Sequence, residues 1–65
     1  MTPKPGQVWR SKSRKRITVT VIGEGRFLNY GGVEERTVVY RSPMTPDLLL
    51  SSPVAYFTDF YELKA

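Results

Sequence analysis

Ile17-Thr18-Val19-Thr20-Val21-Ile22 is the stretch whose reading decides the fold. Ile17, Val19 and Val21 alternate with Thr18 and Thr20, the period-two pattern of a strand with one buried face. β-Branched residues fill it, so strand is favoured over helix. Gly23-Glu24-Gly25 follows and is read as a turn. A strand with one apolar face needs a cover. In a chain of 65 residues only the remaining strands can supply it. The expectation is a small, curled, all-β domain.

A domain of this size buries only about 60% of the surface its unfolded chain exposes, so its stability margin is thin. There is no cysteine, so neither disulfide nor thiolate metal site can reinforce it. Hydrophobic residues make up 40% of the chain, enough for one core. No apolar run approaches the ~20 residues of a membrane span, and no signal-peptide core is visible. These features read as a soluble, cytoplasmic protein with no membrane partner, and Met1 as the start of a complete small product.

Working outward, residues 1–6 form an extended lead-in that ends in the turn pair Pro5-Gly6. Residues 7–65 form the domain. Gln7-Val8-Trp9-Arg10 is a first short strand, and Ser11 to Arg16 is an open, mobile loop of mutually repelling cations. Arg26 to Tyr30 is extended, Gly31-Gly32 is a turn, and Glu34-Glu35 prolong an exposed stretch. Thr37-Val38-Val39-Tyr40-Arg41 is the second strong strand, with Val38 and Tyr40 on its core face. Two prolines make Ser42 to Asp47 a loop, and Leu48-Leu49-Leu50 reads as a short strand. Ser52 and Pro53 are a cap and a first helical residue for one helical or 3₁₀ turn. Phe57, Phe60 and Tyr61 return rings to the core, and Tyr61-Glu62-Leu63 adds a last strand. About five short strands with one such turn before the last describe an SH3-like barrel. An OB-type barrel needs more residues and a longer helix.

Three pieces of the chain carry a resemblance: Lys4-Pro5-Gly6-Gln7-Val8-Trp9-Arg10, Thr37-Val38-Val39-Tyr40-Arg41, and the Pro53 to Phe57 turn. Together they resemble a family of small bacterial and phage proteins of unknown function. Its members open with Pro-Gly and an aromatic-Arg pair, carry a Val-Val-Tyr-Arg strand and end with an Arg-Pro turn leading to a Phe. Ser52 stands where that family has the arginine. The resemblance implies an SH3-like barrel from a phage or bacterium, acting in the host cytoplasm if phage-encoded. It implies no reaction.

The net charge of +4 is unevenly placed. Lys4, Arg10, Lys12, Arg14, Lys15 and Arg16 carry all the charge of residues 1–16, while residues 17–65 hold four bases against six acids. With no histidine and no cysteine, the commonest general base and the best nucleophile are missing. Glu34 and Glu35 are adjacent, so on a strand they face opposite sides and form no pair. The chain therefore reads as no enzyme, with no catalytic residue, no metal site and no cofactor. The glycine pairs lack the strand–loop–helix context of a phosphate loop.

The basic segment is the sharpest functional feature. Arg10, Lys12, Arg14, Lys15 and Arg16 are candidates for binding phosphates or other anions. Trp9 and Tyr30 are candidates for stacking on bases, with Phe27, Tyr40 and Tyr56 behind them. The bland alternative is a solvated turn that keeps a small barrel soluble. Two functional readings follow: a module for nucleic acid or a nucleotide, and a protein-interaction module such as a phage product docking on an acidic host protein. The chain would act as a monomer or a small homo-oligomer.

Overall fold

A computed structural model describes residues 2–64. The alternating stretch opens β2 (Thr18–Leu28). Around it lie β1 (Val8–Ser11), β3 (Glu34–Arg41), β4 (Leu50–Pro53), the short helix α1 (Val54–Phe60) and β5 (Tyr61–Leu63). The strands form one antiparallel sheet in the order β4-β3-β2-β1-β5. The last strand thus returns to pair with the first, as in the SH3-like barrel read from the sequence. The ends of the order, β4 and β5, are joined through α1.

The register explains the core. Trp9 lies opposite Val19 and Val21 opposite Tyr40, so alternate residues of three strands point to one side. Trp9, Val19, Val21, Val38 and Phe57 are buried there, with Tyr40, Val54, Tyr61 and Leu63 packed against them. Four rings interlock at the centre. Phe57 lies 5.4 Å from Trp9, 5.2 Å from Tyr40 and 4.7 Å from Tyr61, centroid to centroid. These are the edge-on, tilted and offset arrangements that the ring quadrupole favours.

Three local expectations are corrected. Gly23-Glu24-Gly25 is not a turn: β2 runs through it to Leu28, with a register shift between Val21 and Gly23. Neither glycine has a positive φ, so nothing bends the chain back. Gly25 instead clears space, since a Cβ there would stand 2.6 Å from Thr37 Oγ1. The true turn lies at Asn29–Gly32. Gly32 has φ 76° and its N–H donates to Asn29 O, while Asn29 Oδ1 accepts from the N–H groups of Gly31 and Val33.

Leu48 and Leu49 are exposed and outside any strand, and only Leu50 enters β4. The two prolines before them shape a loop that never brings those side chains to the core. Ser52 does not cap α1. It lies in β4, and the capping position falls to Pro53, which has no side-chain bond to offer. Glu34 and Glu35 open β3, and with the turn at Gly31-Gly32 they make the β2–β3 connection a hairpin.

The lead-in belongs to the barrel. Pro3 is buried, Gly6 N–H donates to Val21 O, and Gln7 N–H closes the Lys4-Pro5-Gly6-Gln7 turn on Lys4 O. Gly6 has φ 89°, as the third residue of a type II turn requires.

Two phenylalanines on α1 test this core. Phe57 is 1% exposed and Phe60 51%. Phe57→Ala should cost about 3–5 kcal/mol in urea unfolding, a large share of a small domain's stability. Phe60→Ala should change stability by no more than about 0.5 kcal/mol.

Candidate functional site

The segment between β1 and β2 is more compact than mutual repulsion predicts. Ser11 N–H donates to Ile17 O and Ile17 N–H to Arg14 O, while Ser11 Oγ accepts the N–H of Arg14. Lys12 N–H donates to Phe60 O, fastening the loop to the end of α1. Lys12 Nζ donates to Thr58 O at 3.0 Å. A cation from a distant segment thereby meets the unpaired carbonyls at a helix C-terminus, where positive charge is favoured.

The predicted anion-binding residues fall into three groups. Arg10 and Lys15 converge on one carboxylate: Arg10 Nε and Lys15 Nζ donate to Glu62 Oε2 at 2.8 and 2.9 Å. Arg10 stands directly opposite Glu62 in the β1–β5 register, on the face of β1 away from Trp9 and Ser11. Lys12 is tied to α1. Arg14 and Arg16 are exposed and, among the described residues, form no ion pair. One carboxylate against five cations leaves the segment strongly positive.

The stacking candidates are revised. Trp9 is 4% exposed and edge-on to Phe57. Its Nε1–H donates to Gln7 Oε1, so it packs the core and no base can reach it. Tyr30 is fully exposed, but it sits beyond the far end of β2 from the basic loop. Eleven strand residues span roughly 35 Å, so Tyr30 and the loop cannot form one site.

Another pair of rings stands beside the loop. Phe60, expected in the core, is exposed together with Tyr56. The two are four residues apart on α1 and lie on one face, with centroids 4.8 Å apart. With Tyr40, Phe57 and Tyr61 they wall an open groove of about 370 Å³, completed by Ser11 and Ser52. Among the described residues, no charged side chain lines it. Burial, and then the neighbouring Tyr61, push the Tyr40 phenol up. Tyr40 therefore stays a neutral hydroxyl and sets no negative charge against an anionic ligand. Ser11 is shared: it lines the groove and anchors the turn that carries Arg14.

The signal for this groove was the spacing. With Phe57 inward, residues 56 and 60 share a flank of a 3.6-residue helix. Among the described residues, no cluster of three potential metal ligands occurs, and no helix is long and apolar enough to cross a membrane. No family model, curated protein or solved structure matches this chain.

Glu62 gives the loop's anchoring a measurable signature. Hydrogen bonds from Lys15 and Arg10 hold its carboxyl below the usual glutamate range. A pKa depressed on folding adds stability above the unfolded value, and that contribution is lost as pH falls through the folded one. In an NMR titration, Lys15→Ala should move the Glu62 midpoint upward, and Arg10→Ala should do the same.

Proposed function

We propose that this chain is a non-enzymatic binding module for nucleic acid or a nucleotide, with an unpaired base in the aromatic groove and phosphate on the adjoining basic turn. One observation carries the reading: the uncharged groove walled by Tyr56 and Phe60 begins at Ser11, the residue from which the cationic segment departs. Sequence-tolerant binding of single strands uses this combination, rings for bases and mobile cations for the backbone. Arg14 and Arg16 are the cations best placed to contribute, because no carboxylate among the described residues engages them. Ring stacking and phosphate neutralisation need no catalytic group, in keeping with a chain that lacks histidine and cysteine. A phage or bacterial product working in the host cytoplasm is the setting that fits the family resemblance.

The second reading, docking on a protein, draws on the same groove. An aromatic-lined trough with hydroxyls also suits an extended proline-rich peptide, and the basic turn would select an acidic one.

Fluorescence anisotropy with a labelled oligothymidylate tests the first reading. Phe60→Ala should weaken binding by roughly 5- to 100-fold, the loss of one stacked base. Arg14→Ala/Arg16→Ala should weaken it too and flatten its dependence on salt, by about 0.7 in logarithmic slope per cation removed. Affinity unchanged in both variants would refute the nucleic-acid reading. Binding of an acidic, proline-rich peptide in place of the oligonucleotide would favour the second.

A further inference from the structure

β2 outruns the barrel. On the side away from β3, its pairing with β1 ends at Thr20, and the lead-in covers Val21 through bonds from Gly6 and to Gln7. From Ile22 to Leu28 that edge has no backbone partner among the described residues. On the other side, β4 pairs β3 only from Thr37 to Tyr40, so residues 26–28 and 34–36 form a two-stranded arm, while residues 23–25 edge a three-stranded part of the sheet. Such a ribbon is marginal by itself in water. A long open edge is also a template for another strand.

We propose that this edge pairs antiparallel with the same edge of a second copy of the chain, about a two-fold axis at Gly25. The open stretch Ile22–Leu28 has Gly25 as its midpoint, so this register pairs all seven open residues. It sets Glu24 opposite Arg26 of the other copy, twice by symmetry, on one face of the ribbon. On the other face it lays Phe27, which is 40% exposed, over Gly23 of the other copy, an aromatic covering a glycine. Ile22 and Leu28, exposed at 46% and 70%, meet at both ends. Charges on an edge strand ordinarily discourage pairing. Here their opposite signs on either side of a glycine permit one register. Moving the axis by one residue either way sets Glu24 against Glu24 or Arg26 against Arg26. The pairing joins the sheets of the two copies through β2 and gives each two-stranded arm the open edge of the other copy as a partner. It is independent of what the groove binds.

Sedimentation equilibrium from micromolar to millimolar concentration tests this, with circular dichroism confirming that each variant is folded. The wild-type chain should dimerise. Glu24→Arg and Arg26→Glu should each weaken the dimer roughly tenfold or more, since attraction becomes repulsion at both symmetric pairs. An equimolar mixture of the two variants should dimerise again, because one copy then carries only positive charge at these two positions and the other only negative. In the wild-type chain, the amides of residues 22–28 that point away from β3 should gain protection from hydrogen exchange as concentration rises. This measurement needs no variant to fold. A wild-type chain that stays monomeric at millimolar concentration overturns the proposal. So does a dimer that both substitutions leave intact, or one whose edge amides gain no protection.

Discussion

The structure depends on the insertion of Phe57 among Trp9, Tyr40 and Tyr61. These three rings come from β1, β3 and β5, so one side chain on a seven-residue helix ties β3 to the neighbouring pair β1 and β5 across the sheet. The strand pairings alone would leave an open, curled sheet of five strands with one wet face. Phe57 closes that face. Helix α1 is too short to be stable by itself, and its N-terminus lacks a side-chain cap. It persists because its one fully buried residue is worth more than its hydrogen bonds.

That constraint also places the groove. Once Phe57 points inward, helical geometry carries residues one position before and three after it to a single flank. There Tyr56 and Phe60 face solvent over Tyr40 and Tyr61. The same rigidity explains why the basic turn lies where it does. Lys12 bonds the last carbonyls of α1 with both its backbone and its side chain, so the cations sit against the helix end. Core, groove and charge are therefore coupled through α1, although they come from opposite ends of the chain.

Much of this was legible in the residues. Val19 and Val21, Val38 and Tyr40 announced two strands and their inner faces by alternation. The final Tyr61-Glu62-Leu63 strand and the helical turn before it were legible too. What misled was local chemistry whose meaning depends on a partner. Gly23 and Gly25 look like turn residues, yet Gly25 is needed because Thr37 crowds it from the next strand. Leu48 and Leu49 look like core, yet the proline-shaped loop never returns them to it. Trp9 looked available for stacking because a strand has two faces, and only the register with Val19 shows which one is buried. Glu62, 52 residues from Arg10 in sequence, could not be foreseen as the acid that divides the cations into paired and unpaired sets.

The arm of β2 and β3 is the part of the sheet that lies outside the core. The buried cluster draws on Val19 and Val21 from β2 and on Val38 and Tyr40 from β3. Residues 26–28 and 34–36 add none of its members. Ordering each such residue costs about 1–2 kcal/mol of backbone entropy, against cross-strand pairs worth about 0.2–1 kcal/mol each. One of those pairs sets Arg26 directly opposite Arg36, relieved by the 3.0 Å bond from Arg26 to Glu34. An extension that adds nothing to the buried cluster, carries exposed apolar side chains and sets opposite charges about a glycine is better matched to contacts beyond this chain than to those within it.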